Sequence, residues 1–158
     1  GHVGAALCRV AAWLDFEVVV VDDRASFANR QRLPDAARIV VGDPPAVVRE
    51  FPMTRDTYVV IVTRGHRHDA QALQECVNAP TAYVGMMGSR RKVDLIFSRL
   101  VEEKICSRDR LAQIHAPIGL KIGALSVEEL AVSIAAELVQ VRSRLAPSRD
   151  PGEKRHEG

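Results

Sequence analysis

Two hydrophobic rhythms alternate along the chain. The first is the unbroken apolar run: "EVVVVDD" (17–23), "RIVVGD" (38–43), "TYVVIVTRG" (57–65) and "TAYVGMMG" (81–88). Runs without polar alternation predict strands covered on both faces, as in a parallel sheet. The second rhythm has helical period. Leu7, Val10, Ala11 and Leu14 share a face of a helix expected over Val3–Leu14. Further helices are expected over Pro45–Phe51, Asp69–Asn78, Ser89–Glu103 and Ser126–Leu145, the last opening on a capping box of Ser126 and Glu129. Strands alternating with helices imply βαβ units with right-handed crossovers, hence a doubly wound parallel sheet with helices on both faces.

Composition narrows the class. The chain has 158 residues, 47% of them hydrophobic, enough for one domain with a real core, expected over residues 1–145. Beyond Ala146 the stretch "PSRDPGEKRHEG" has no large apolar anchor, so residues 146–158 are expected to be a disordered tail. A net charge of +2 and 4% aromatic residues argue against nucleic acid as the partner. No run approaches the length of a membrane span. Cys8, Cys76 and Cys106 share no metal or disulfide spacing and fit a reducing, cytoplasmic compartment.

Three loops carry candidate chemistry. The chain begins "GHVGAAL", in which Gly1, His2 and Gly4 supply the G-x-x-G half of the dinucleotide fingerprint G-x-G-x-x-G. Gly1 would admit a phosphate to the backbone, and Gly4 would let the helix pack closely on the sheet. The acidic residue that the fingerprint expects about 20 positions on is Asp22, followed by Asp23. A carboxylate there accepts a ribose diol and repels a 2′-phosphate. The strand that should feed the glycine turn is not in the chain, so the sheet is expected to lack its first strand.

The second loop, "VTRGHRHDAQAL", ends a strand and opens a helix, where open α/β sheets place ligand crevices. Arg64, His66 and His68 read as donors to an anionic ligand, and Asp69 as a helix N-cap. His-x-His-Asp has no third distant ligand, so no metal site is expected. The third loop, "GMMGSRRKVDLIF", offers Gly88 for a tight turn, Ser89 as an N-cap, and Arg90, Arg91 and Lys92 in the first helical turn. Cations oppose the helix dipole there, an unfavourable placement that a bound phosphate would offset. His115, in the irregular "HAPIGLKIGAL", is a further candidate facing the site. No nucleophile–base arrangement is legible.

Taken together, "GHVGAAL…VVVVDDR…FANRQR", "VTRGHRHD", "AYVGMMGSRRK" and "HAPIGLKIGALSVEELAVSIAAEL" resemble the Rossmann-like domain of the XdhC/CoxI family over about residues 1–144. The family comprises accessory proteins for xanthine dehydrogenase and related molybdenum hydroxylases. The resemblance implies a non-catalytic maturation factor that binds molybdenum cofactor, as molybdopterin or its dinucleotide form. It implies apo-xanthine dehydrogenase or a related hydroxylase, and a cysteine desulfurase, as partners, with a homodimer also in view. Carried over by motif, Gly1, His2, Gly4 and Ser89–Lys92 would hold phosphates and Asp22 a ribose. Arg64, His66, His68 and His115 would face the rest of the cofactor. Two other classes stay open on the residues alone: an NAD-dependent oxidoreductase and a nucleotide-sensing regulatory domain.

Overall fold

The computed structural model describes residues 1–63 and 66–145, apart from the side chains of 66 and 67. Arg64 and the tail expected over 146–158 lie outside the described residues. The elements run α1 (His2–Trp13), β1 (Val19–Asp22), β2 (Arg38–Val41), α2 (Pro44–Glu50) and β3 (Tyr58–Ile61). They continue with α3 (His66–Cys76), β4 (Tyr83–Met86), α4 (Arg90–Glu102), α5 (Arg108–Leu111) and α6 (Val127–Leu145).

All four strands pair in parallel, in two separate ribbons. β1 pairs β2, from Val19 opposite Arg38 to Asp22 opposite Val41. β3 pairs β4, from Tyr58 opposite Tyr83 to Ile61 opposite Met86. The chain after α5 adds one parallel bridge, His115 beside Gly85. β1 and β3 share no ladder.

Strand alternation sends side chains into two cores. Val59, Ile61, Val84 and Met86 meet α3 and α4 through Leu73, Cys76, Val77, Val93 and Ile96. On the other face Tyr58, Val60, Val62 and Tyr83 meet α1 and α6 through Leu7, Ala131, Ile134, Ala135 and Leu138. Helix α1 serves both ribbons, because its Ala5 and Cys8 pack with Val18, Val20 and Ile39 in a third cluster. Leu73, Val77 and Met86 are fully buried, each worth about 1.5–3 kcal/mol of transfer free energy. The valines of β1, expected to be covered on both faces, are half-buried instead, since β1 is paired along one edge only.

Local chemistry sets the helix ends. Asp43 caps α2 by accepting from the Ala46 amide, with Pro44 and Pro45 opening the helix. Ser89 caps α4 through the Lys92 amide. The capping box of α6 forms as expected: Ser126 Oγ accepts from Glu129 N at 3.1 Å, and Glu129 accepts from Ser126 N at 3.0 Å. One expectation fails. α3 begins at His66, so Asp69 lies in its first turn rather than at its cap. Its carboxylate turns inward to other partners.

Candidate functional site

The carboxyl ends of β1 and β3 flank a cleft of about 150 Å³, lined by Val21, Asp22, Asp23, Arg24, Pro44, Thr63 and His68. It opens where the strand pairing breaks, the location at which open parallel sheets bind ligands.

On the β1 side, Asp22 is 8% exposed. Its Oδ1 accepts from Arg24 N at 3.1 Å and Arg24 Nε at 2.9 Å. Its Oδ2 accepts from Arg24 Nη2 at 2.8 Å and from the Gly1 nitrogen at 3.0 Å. Burial alone would raise the Asp22 pKa, but hydrogen bonds led by the Arg24 guanidinium outweigh it and lower it. The glycine turn and the acid of the next strand, 21 positions apart in sequence, therefore meet at one point. Arg24 also lies 4.0 Å over the Phe27 ring, which is met as well by the Arg32 guanidinium at 4.4 Å and the edge-on His2 ring at 5.8 Å.

On the β3 side, Asp69 is 1% exposed and accepts from the Thr63 hydroxyl and the Lys92 ammonium. Thr63 and His68 line the cleft, and Thr63 ties the cleft lining to the buried Asp69. Lys92 is thus already engaged, and its stem lies against Gly88, where a Cβ would meet Lys92 Cδ at 3.0 Å. Ser89, Arg90 and Arg91 are exposed, and the two arginines make no ion pair among the described residues.

The first turn of α1 carries no side-chain cap and no acidic residue. Gly4 behaves differently from expectation: a Cβ there would meet only Val62 Cγ2, at an ordinary 3.6 Å.

Of the expected site residues the structure puts Asp22 and His68 in the cleft lining, with Gly1 beside Asp22, His2 against Phe27, and Lys92 paired to Asp69. His66 falls in the first turn of α3, its side chain outside the described residues. His115 goes elsewhere. Its Nδ1 lies 3.2 Å from Glu137 Oε1, and its ring centroid 4.5 Å from that of Tyr83. Glu137 also accepts from Tyr83 Oη at 2.6 Å and Gly119 N at 2.9 Å. This buried group ties β4 and the 115–120 loop to α6 and makes no contact with Asp22 or Asp69. Sequence reasoning missed Arg24, Thr63 and Glu137. A signal existed for Arg24 alone, as a cation two residues past the acid at the fingerprint spacing.

Among the described residues no three His, Cys, Asp or Glu side chains stand close enough to hold a metal ion. No described helix is long and apolar enough to cross a membrane. The cysteines carry no signature of reactivity. Cys8 and Cys76 are buried, and burial pushes the Cys76 thiol up to about 12.

Parallel strands, a glycine turn against the next strand's acid and a crevice at the strand ends define a Rossmann-type domain. The chain belongs to the XdhC Rossmann domain family, which matches residues 1–138. It is 34% identical over 144 residues to the uncharacterized protein YqeB of Escherichia coli K12, covering 90% of this chain and 26% of that protein. It is 29% identical over 146 residues to a probable xanthine dehydrogenase subunit of Bacillus subtilis 168, covering 92% and 42%. To the molybdenum cofactor insertion chaperone PaoD of E. coli K12 it is 33% identical over 87 residues, covering 55% and 27%. The crystal structure of a xanthine dehydrogenase from Bacillus halodurans superposes with a TM-score of 0.82 at 27% identity, covering 96% of this chain and 43% of that one. The chain therefore spans less than half the length of each of these relatives.

Proposed function

We propose that this domain belongs to a molybdenum cofactor maturation factor and seats the phosphate-bearing part of the cofactor in the cleft between Asp22 and His68. The observation that carries the reading is the meeting of the Gly1 turn with Asp22 at the cleft mouth. The relative named as a molybdenum cofactor insertion chaperone supports the identity of the ligand.

The residues present fit such a group. The uncapped α1 turn presents amides to a phosphate, and Arg90 and Arg91 are exposed cations at the start of α4. A cleft of about 150 Å³ is smaller than the sites that enclose drug-sized ligands, so it seats a ribose-phosphate portion rather than a whole dinucleotide. His68 lines the same cleft, and His66 and Arg64 precede it in the chain as further donors. When bound, the cofactor supplies the molybdenum centre on which a hydroxylase depends; the residues of this chain bind and orient it. In this reading the whole protein assists the cofactor's sulfuration beside a cysteine desulfurase and its insertion into a xanthine dehydrogenase-type apoenzyme.

The test is retention. The purified protein is incubated with molybdenum cofactor, or separately with NAD, and passed through gel filtration. Bound ligand is assayed as oxidised fluorescent pterin or as nucleotide. Near-stoichiometric pterin is expected, reduced when Arg90 and Arg91 are both changed to Ala. NAD retained without pterin would remove the carrier reading.

A further inference from the structure

The Asp22 carboxylate is mostly taken up by a cation of its own segment before any ribose arrives. A carboxylate offers about four lone-pair positions, and here Arg24 alone takes three of them. Two of the Arg24 bonds come from the guanidinium fork, a bidentate geometry among the strongest that a carboxylate makes. The guanidinium is further steadied over the Phe27 face, yet it lies in the cleft and stays about a third exposed. It can therefore leave Asp22 without unfolding anything, because Asp22 and Arg24 are two residues apart on the segment leaving β1.

We propose that Arg24 is a placeholder in the diol seat, so that a nucleoside diphosphate binds only by displacing the guanidinium from Asp22. This inference rests on the reading of the cleft as a ribose-phosphate site. The shared ligand chemistry is a 5′-diphosphate on a ribose with both hydroxyls free, present in NAD and in the dinucleotide form of the cofactor alike. Displacement sets a conformational penalty: apparent affinity is the intrinsic affinity scaled by the fraction of molecules with Arg24 swung away. It also confers selectivity. A 2′-deoxy ligand offers Asp22 only one hydroxyl in exchange for a bidentate cation, and a 2′-phosphate offers it repulsion.

The test measures binding of ADP, CDP and their 2′-deoxy counterparts by calorimetry to wild type, Arg24→Met and Arg24→Lys. Arg24→Met is expected to bind the ribonucleotides about tenfold more tightly or better, an increment of about 1.4 kcal/mol. It should widen the preference for ribose over 2′-deoxyribose. Arg24→Lys keeps the charge but loses the fork, and is expected to fall between Met and wild type. The adenine and cytosine arms separate an NAD-like source from a cytosine dinucleotide. Thermal melting of each variant confirms that a folded protein was titrated, with Arg24→Lys serving if Arg24→Met does not fold. Affinity that falls equally for ribo and 2′-deoxy ligands in the variants would make Arg24 a direct ligand contact and overturn the proposal. Proteins that retain pterin but bind no nucleoside diphosphate overturn the placeholder while leaving the carrier reading intact. Nucleotide binding with the expected Arg24 dependence but no pterin retention supports the placeholder and removes the carrier reading.

Discussion

Glu137 is the buried group whose loss can be followed most directly from the structure. It sits on α6, and three donors from outside that helix converge on it: Tyr83 Oη at 2.6 Å, Gly119 N at 2.9 Å and His115 Nδ1 at 3.2 Å. Burial alone would raise its pKa; the hydrogen bonds from His115, Tyr83 and Gly119 prevail and lower it. The Glu137→Gln substitution keeps the shape but turns charge-assisted bonds into neutral ones and offers His115 an amide. Charged hydrogen bonds contribute about 1.5–3 kcal/mol against about 0.5–1.5 for neutral ones, so a loss of about 2–3 kcal/mol is expected. At about 2–4 °C per kcal/mol for a domain of this size, Tm should fall by roughly 4–12 °C at pH 7. The pH dependence has a definite sign. A carboxylate with a depressed folded pKa contributes its stability above its unfolded value, near 4.5, and loses it as pH falls through the lower folded value. The gap between wild type and Glu137→Gln, followed by circular dichroism melts from pH 7 downward, should therefore be constant to about pH 5 and close below it. A gap that persists unchanged in acid, or a Tm within about 1 °C of wild type at pH 7, would refute the reasoning.

Lys92→Met should cost about 3–5 kcal/mol in urea unfolding, because it strands the 1%-exposed Asp69 carboxylate without its cation. Adding Asp69→Asn should return much of that loss, and a double variant no better than the single would contradict the pairing. Gly85→Ala should destabilise by about 1–3 kcal/mol, because a Cβ there stands 2.6 Å from Ile118 Cδ1 and 2.7 Å from Tyr83 Cε1. Gly4→Ala, by contrast, should be neutral or stabilising by up to about 1 kcal/mol on helix propensity, since only Val62 is near; chemical unfolding of the pair reads both signs. Thiol labelling of the native protein should modify Cys106 first and reach Cys8 and Cys76 only on unfolding.

The fold was legible because its signals are local. Unbroken runs such as Val18–Val21 and Tyr58–Ile61 admit few readings other than parallel strands, and the structure pairs them so. Ser89 and the Ser126–Glu129 box marked helix starts to the residue. Helix α5 escaped notice because "RDRL" is too short and too charged to show a period. The start of α3 was misplaced because Asp69 has the composition of a cap, while its true partners, Thr63 and Lys92, are respectively a loop residue and a residue 23 positions away. A side chain's local preference is visible in sequence, but a long-range claim on it is not.

The same distinction explains the site. Gly1 and Asp22 could be placed together because a fingerprint of fixed spacing encodes their contact. His115 was assigned to the ligand on its residue type, yet its position beside Gly85 on the β4 flank delivers it to Glu137, a residue whose helical context gave no hint of burial. The cations follow a more general rule. Lys92 was one of three basic residues read as a phosphate cluster, and the fold commits it to Asp69, leaving Arg90 and Arg91 as the exposed pair. Arg24, which no anion motif marked, is a cation that lines the cleft. Asp22 in the cleft lining, and Asp69 beside the cleft-lining Thr63, are therefore each already matched by a cation. On the Asp69 side the pair is buried and structural. On the Asp22 side it is about one-third open at the guanidinium and can be exchanged. That asymmetry makes Asp22 rather than Asp69 the carboxylate able to trade its partner for a ligand.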